Sequence, residues 1–295
     1  MKLLRILLGL LFISSHYCSA QQDVLLWKVT GNNLEKPSYL FGTYHLLSGD
    51  FIKQVKGASK ALNKSEAVVG ELEIDESAAA KLMNFMVMTD NSLDSLLSPE
   101  QYDTLSIALK ERMGVPAMMM NKLKPMGVYI MLASAETAKD NSVDLKNKGQ
   151  LMDAWVQEEA KKKEKQVFSL ETAEEQAEVL FNSSLDRQKD MLMEYLRLDR
   201  EEARKENDRI VDCYKNQNLD CLVEIMESSN YTQIEKDVML KDRNVKWIPQ
   251  LKEFMGSKSC FVAVGALHLP GKDGLITLLR DQGFTVEAVR SKKDL

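Results

Sequence analysis

Two apolar segments that each run into Gly-x-x-His-Leu do the most to constrain the fold of this chain. The first reads SYLFGTYHL and contains Gly42 and His45, and the second reads CFVAVGALHL and contains Gly265 and His268. Both are rich in strand-forming residues before the glycine, and the two histidines are 223 residues apart. We therefore expect one sheet that takes strands from both ends of the chain and carries both histidines at the carboxyl ends of its strands.

The other periodic segments favour a mixed α/β fold. Further β-type runs occupy residues 24–30, 67–74, 165–171 and 284–289, and a helix is expected at 51–63. Between these runs, helical periodicity predicts two large helical insertions, at about 77–164 and 172–255. We expect a single domain over residues 21–295, with a central sheet built from the N- and C-terminal parts of the chain.

The first twenty residues are predicted to be a secretory signal peptide. Lys2 and Arg5 precede a short apolar run, and small residues end at Ala20, where we place the cleavage site. A lipoprotein signal acylated at Cys18 is the alternative, but the residues before that cysteine do not suit it. We expect a secreted or periplasmic protein without an integral membrane segment after cleavage, because no other segment approaches the roughly 20 apolar residues of a membrane span.

Charge and cysteine content narrow the class of protein further. The formal net charge is −5 without basic clusters of the kind that bind nucleic acid, so no nucleic-acid partner is expected. Export would place the cysteines in an oxidising compartment. Cys213 and Cys221 flank a turn-rich stretch and are predicted to form a local disulfide, whereas Cys260 opens an apolar strand and is predicted to stay free.

Methionine is abundant in the first helical insertion. Many of the chain's 16 methionines lie in MNFMVM, AMMMNKL and MGVYIMLA. A stripe of methionines on a helix either fills the core or lines an adaptable apolar groove. The sequence favours core packing and leaves the groove as the alternative.

The two histidines of the repeated motif, with nearby carboxylates, are candidates for a metal site. Beyond the predicted signal, His45 and His268 are the only histidines of the chain. Glu71 and Glu73 follow an apolar strand and would share one face of it by alternation. Carboxylates there are costly to desolvate without a cation or donor. We predict that His45 and His268 hold a metal ion together with one of these two glutamates; two structural histidines and a solvated strand end are the alternative.

A segment near the end of the second insertion supplies further candidates. KDRNVKWIPQL places Arg243 and Asn244 on a predicted helix. Arg243 would pair with a carboxylate ligand or stabilise an oxyanion, or else form a surface ion pair. Glu171 ends another predicted strand and would lie near the site or cap the helix that starts at Thr172.

The chain resembles the TraB/GumN family, whose domain is shared with the Tiki proteases. The resemblance rests on LLWKVTGNNLEKPSYLFGTYHL, VVGELEI, FSLETAEEQ, DRNVKWIPQL and FVAVGALHLPGKDGLITLLRDQGFTVEAV, which span nearly the whole chain after the signal. It implies an active-site core of His45, His268 and Glu71, and it matches Arg243-Asn244 to the family's Arg-Asn pair. It also implies metal-dependent hydrolysis, with manganese or cobalt favoured and zinc possible. The related erythromycin-esterase and ChaN-like groups share this layout.

The sequence and the resemblance together predict an exported metal-dependent hydrolase, with a peptidase favoured. Its substrate would be a peptide or a small molecule. The metal would be held by His45, Glu71 and His268, with Glu73 or a second carboxylate as the general base. Arg243 would stabilise the oxyanion, and Asn244 would also have a catalytic role. Tiki proteins are membrane-anchored, so their Wnt-type substrates do not carry over to a chain with a removable signal. Many family members have no demonstrated activity, and the alternative is a non-catalytic protein that binds a peptide or signal in the same cleft.

Overall fold

The computed structural model describes residues 24–139, 150–291 and 293–295, so the predicted signal peptide lies outside the described residues. Within this part of the chain, six strands form one sheet in the order β4-β3-β5-β2-β1-β6. The strands are β1 Leu26–Gly31, β2 Ser38–Thr43, β3 Ala67–Gly70, β4 Gln166–Ser169, β5 Cys260–Gly265 and β6 Phe284–Ala288. The sheet thus joins both ends of the chain, as predicted.

The strands of the sheet divide into a parallel part and an antiparallel part. Strands β4, β3, β5 and β2 run parallel, and β1 pairs antiparallel with both β2 and β6. Nearly every residue of β2 and β5 is buried, as is usual for parallel strands covered on both faces. In the register of β2 and β5, Gly42 pairs with Val264 and Thr43 with Gly265, so both Gly-x-x-His motifs leave the sheet at the same edge.

Helices fill the two long connections on either side of β4. Between β3 and β4 lie α2 Glu76–Phe85, α3 Leu93–Leu96, α4 Pro99–Met113, α5 Ala117–Met120, α6 Pro125–Lys139 and α7 Met152–Lys161. Between β4 and β5 lie α8 Ala173–Phe181, α9 Leu185–Arg197, α10 Arg200–Lys215, α11 Leu219–Ser228, α12 Gln233–Lys236 and α13 Asp242–Ser257. A π-helix, Asp237–Lys241, joins α12 to α13. The two predicted helical insertions are therefore confirmed, and the fold is mixed α/β.

The remaining helices are short and lie near the sheet. They are α1 Ala58–Lys64, α14 Leu275–Asp281 and two 3-10 helices, Gly49–Lys53 and Ala266–His268. The helix predicted over 51–63 is split, because the chain turns at Gly57, whose φ of +88° suits glycine. No helix among the described residues is both long and apolar enough to cross a bilayer.

The apolar interior of the described residues consists of a core around the sheet, a separate core within the helical layer, and a small third cluster of Met126, Ala177 and Phe181. The second core packs α4, α6 and α9 around residues such as Leu105, Leu109, Leu132 and Leu192. Met88 and Met193 belong to it, so part of the methionine content is core packing, whereas Met118 on α5 is 82% exposed.

The third strand ends four residues earlier than the run 67–74 predicts. Gln157 on α7 donates to the carbonyl of Leu72 at 2.7 Å and accepts from the amide of Ile74 at 2.9 Å. These bonds satisfy backbone groups that a longer strand would offer to a neighbour. A side chain from the first insertion therefore ends β3, and no local pattern in the run encodes this.

The disulfide prediction is confirmed. Cys213 on α10 and Cys221 on α11 are bonded, with 5.8 Å between their Cα atoms, and Asn218 between them caps α11 by accepting from the amide of Cys221. Cys260 is free and buried. Burial raises the pKa of its thiol to about 12, so it stays protonated at neutral pH.

Candidate active site

The carboxyl ends of the four parallel strands bring four polar side chains to one edge of the sheet. Glu71 follows β3 directly, and His45, Glu171 and His268 come two or three residues after β2, β4 and β5. This edge is where open α/β sheets bind their ligands. Each of the four parallel strands therefore contributes one residue to the candidate site.

Three of these side chains converge on the space above Gly265. A Cβ atom at this glycine would lie 3.3 Å from Glu71 Oε1, 3.5 Å from His268 Cδ2 and 3.9 Å from His45 Nε2. The amide of Gly265 donates to Glu71 Oε1 at 2.7 Å. All three groups thus face one point, and the absence of a side chain at Gly265 leaves that point open.

His268 is buried and held in one tautomer. The Nδ2 atom of Asn244 donates to the carbonyls of His268 and Asp273, at 3.2 and 2.8 Å, so its Oδ1 atom is an acceptor. That Oδ1 lies 2.8 Å from His268 Nδ1, which must therefore carry the proton. Trp247 packs against the imidazole, with 4.5 Å between ring centroids. Asn244 and Trp247 thus orient the lone pair of Nε2 toward the site.

His45 is oriented by a carboxylate that the sequence did not reveal. Its Nδ1 atom lies 2.9 Å from Asp153 Oδ2 on α7, and Asp153 Oδ1 accepts from the hydroxyl of Thr43 at 2.7 Å. Desolvation by the surrounding atoms lowers the pKa of His45. The hydrogen bond and charge of Asp153 and, more weakly, the charge of Glu71 have the larger effect and raise this pKa to about 9. The side chain remains 63% exposed, so His45 is a charged imidazole open to solvent.

Arg243 connects the remaining groups of the site. Its Nη2 atom donates to Glu71 at 2.6 Å, and its Nε and Nη2 atoms form a forked pair with Glu171. Its Nη1 atom lies 3.1 Å from His268 Nε2, the unprotonated nitrogen of that ring. The guanidinium stacks on Trp247 at 4.7 Å from the ring centroid. One guanidinium therefore holds two buried carboxylates and one histidine together.

The two carboxylates that Arg243 holds differ in proton affinity. Burial alone would raise the pKa of Glu71. The positive charges of His268 and Arg243 have the larger effect and lower this pKa to about 2. Burial, aided by Arg243, lowers the pKa of His268 to about 4, so at neutral pH Arg243 does most to keep Glu71 ionised. Burial raises the pKa of Glu171 although Arg243 opposes it. Glu171 therefore accepts a proton more readily than Glu71 does.

Glu73 does not join the cluster. Its side chain is 43% exposed and pairs with Lys161 on α7 at 2.7 Å. Because β3 ends at Gly70, the alternation that would place Glu71 and Glu73 on one strand face does not apply, and that part of the sequence argument was wrong. Glu171 takes the place near Glu71 that the sequence gave to Glu73. The helix beyond Glu171 is capped by Thr172 instead.

The side chains of the site are of the types that bind divalent ions in proteins. Two imidazoles and one carboxylate are common ligands, and both Nδ1 atoms are held by other side chains, as in most metal-binding histidines. Among the described residues, however, no group of three His, Cys, Asp or Glu side chains has the spacing to hold a metal ion. Arg243 occupies His268 Nε2 and Glu71 Oε2, so metal binding requires Arg243 to turn away from His268.

Comparison with known proteins identifies the family. The model of the TraB/PrgY/gumN family matches residues 25–288, which is nearly the whole chain. No curated protein and no solved structure matches it. The matched range contains all of the side chains that meet above Gly265.

Proposed function

Because this chain belongs to the TraB/PrgY/gumN family, we propose that it is an exported metal-dependent hydrolase that acts on peptides. The observation that carries the proposal is the convergence of His45, Glu71 and His268 on the point above Gly265. Export rests on the predicted signal peptide at residues 1–20. The peptide preference rests on the resemblance to the Tiki proteases.

In this proposal His45, Glu71 and His268 hold one divalent ion, with manganese or cobalt favoured and zinc as a further candidate. Such an ion supplies a Lewis acid that polarises the scissile carbonyl. Binding needs His45 to lose its proton, because only the neutral imidazole has a lone pair on Nε2. Asn244 and Asp153 fix the orientation of the two rings and are positioning residues.

Arg243 and Glu171 have the properties of the two remaining roles. Arg243 lies beside the convergence point, against Trp247 and two carboxylates. Once it has turned away from His268 to admit the metal, its guanidinium can stabilise the negative charge that develops on a substrate oxygen. Glu171 has a pKa raised by burial and can accept a proton when Arg243 turns toward the substrate. We assign the general base to Glu171 rather than to Glu73, whose side chain is held at the surface by Lys161.

The proposal is tested by stripping the purified protein of metal and adding manganese, cobalt or zinc before a peptide-library cleavage assay. Cleavage should depend on the added ion and fall by at least about 10- to 100-fold in Glu71→Gln, comparable to the cost of losing a supporting group of a metal site. Glu73→Gln is the matched control and should cleave like the wild type. Cleavage that survives chelation, or that is lost equally in both variants, contradicts the proposal.

A non-catalytic peptide-binding function is the second candidate, and one observation favours it. Arg243 already satisfies acceptor atoms of Glu71, Glu171 and His268, so the cluster is complete without an ion. A binding protein of this kind would hold its peptide with the same affinity with and without metal. It would release the peptide uncut after prolonged incubation.

A further inference from the structure

A cavity of about 520 Å³ opens beside Arg243 and Glu171, on the side of the helical insertions. Most of its wall is apolar and comes from α6, α8, α12 and the π-helix. The apolar lining includes Met126, Val179, Leu180, Ile234, Val238 and Met239. The volume lies within the range of about 300–1,000 Å³ that is usual for ligand pockets. Glu171 and Arg243, two of the groups proposed to act in hydrolysis, line it.

Three of the elements that line the cavity expose apolar side chains to solvent. Leu180 on α8 is 38% exposed, Val238 on the π-helix is 38% exposed, and Ile234 on α12 is 77% exposed. A ligand side chain between these residues would remove their surfaces from water together with its own. The cavity therefore favours an apolar group. Met126 in its wall, from the segment MGVYIMLA, also fits the groove alternative for the methionine-rich segments.

The backbone of the π-helix joins the cavity to the catalytic cluster. Val238 and Met239 contribute to the cavity wall, and the carbonyl of Met239 accepts from Arg243 Nη1 at 3.2 Å. π-helices are rare and often occur at functional sites. A ligand that packs against Val238 and Met239 thus lies directly beside the guanidinium that faces Glu71 and His268.

The charges around the cavity select for a positive ligand. Five carboxylates line it, and three are paired: Glu171 with Arg243, Glu175 with Lys246, and Glu235 with Arg187. The other two, Glu178 and Asp242, are exposed, and no described residue forms an ion pair or side-chain hydrogen bond with either. Two unneutralised carboxylates beside an apolar wall complement a positive charge next to an apolar group.

We propose that this cavity is the substrate subsite beside the scissile bond, and that it takes an apolar side chain followed or preceded by lysine or arginine. The proposal rests on the proposed peptide hydrolysis and adds the kind of residue selected. The apolar side chain packs against Ile234, Val238 and Leu180. The basic side chain reaches Glu178 and Asp242.

Binding of short labelled peptides tests the subsite without relying on cleavage. The probes are fluorescein-labelled ten-residue peptides of alanine and serine with Leu-Lys, Leu-Glu, Ser-Lys or Ser-Glu at the centre. Fluorescence anisotropy is measured on metal-stripped protein at low ionic strength. Leu-Lys should bind most tightly and Ser-Glu most weakly, and the preference for lysine should shrink as salt is added.

Two matched pairs of variants separate the apolar and charged contributions. Ile234→Ser should weaken binding of both leucine peptides, whereas Ile107→Ser changes an exposed isoleucine on α4, away from the cavity, and should have no effect. The double variant Glu178→Gln and Asp242→Asn should weaken Leu-Lys by about three- to tenfold while sparing Leu-Glu. Glu253→Gln, exposed on α13 but outside the cavity, is its control.

The outcomes distinguish failure of the subsite from failure of the proposed hydrolysis. Equal binding of all four peptides, no binding of any of them, or equal effects of a variant and its control would overturn the subsite. If the predicted preference is found but no metal leads to cleavage, the subsite stands and the hydrolase proposal fails. If peptides are cut without any preference for Leu-Lys, the hydrolase proposal stands and the subsite fails.

Discussion

The two copies of the Gly-x-x-His motif have similar sequences but opposite surroundings. The side chain of His268 is 5% exposed and that of His45 is 63% exposed. Burial helps to lower the pKa of His268 to about 4, whereas Asp153 raises that of His45 to about 9. At neutral pH the ring of His268 is therefore neutral and held in one orientation, whereas the ring of His45 is positively charged and open to solvent.

The difference arises from the helices that cover each motif. Helix α13 covers His268 and supplies Arg243, Asn244 and Trp247 within one turn of each other. On His45, the charged partner of the Nδ1 atom within the described part of the chain is Asp153 from α7. Similar motifs in one sheet thus set the positions of two histidines, while the inserted helices set their protonation.

The site has a buried half around His268 and Arg243 and an exposed half around His45 and Asp153. The largest expected effect is a loss of stability when the buried half is changed. Arg243→Leu leaves Glu71 and Glu171 as buried carboxylates without their cation, and it should lower the free energy of unfolding by about 3–5 kcal/mol. Asp153→Asn on the exposed half should lower it by less, about 1–2 kcal/mol, because solvent screens the charge of the exposed His45. Urea denaturation of both variants measures this. Equal losses would show that the two halves contribute equally to stability.

The second prediction concerns the residue that both halves share. Manganese should raise the melting midpoint of the wild type by mass action and leave that of Glu71→Gln nearly unmoved, because the carboxylate faces both histidines. Metal-free Glu71→Gln should itself be less stable, since Arg243 loses a charged partner. Paired melting curves with and without the ion provide the measurement. The same upward shift in both proteins would remove Glu71 from the ligand set.

The third prediction uses the two glycines of the motifs as a matched pair. A Cβ at Gly42 would lie 3.0 Å from the backbone of Ala266, so Gly42→Ala should cost about 1–3 kcal/mol through overpacking. A Cβ at Gly265 would instead enter the point between Glu71 and the two histidines. Gly265→Ala should therefore weaken manganese binding with a smaller loss of stability. Calorimetry of both variants checks this, and the reverse pattern would contradict it.

Some features of the site can be predicted from local sequence, and others depend on the tertiary fold. Short local sequence patterns make three features recognisable: the strand-to-histidine segments, the position of Glu71 and the Arg243-Asn244 pair. Asp153 is not, because it lies on an inserted helix 108 residues from His45 and only the tertiary fold joins them. The same is true of Gln157, which ends β3 and leaves Glu73 outside the cluster.

The last and smallest effect is the titration of the two imidazoles. In an NMR titration, the ring protons of His45 should shift with a midpoint near 9, and those of His268 should not titrate above about pH 5. A raised pKa means that the stabilisation from His45 is complete below its unfolded value of about 6.5 and is lost as pH rises through 9.

Asp153→Asn removes the main cause of the raised pKa, so the His45 midpoint should fall by at least one unit while His268 is unchanged. Since bound metal needs the neutral ring, manganese affinity should rise with pH up to about 9 in the wild type and level off at lower pH in Asp153→Asn. A His45 midpoint that stays at 9 without Asp153 would show that another group, and not the first insertion, sets the charge of this half of the site.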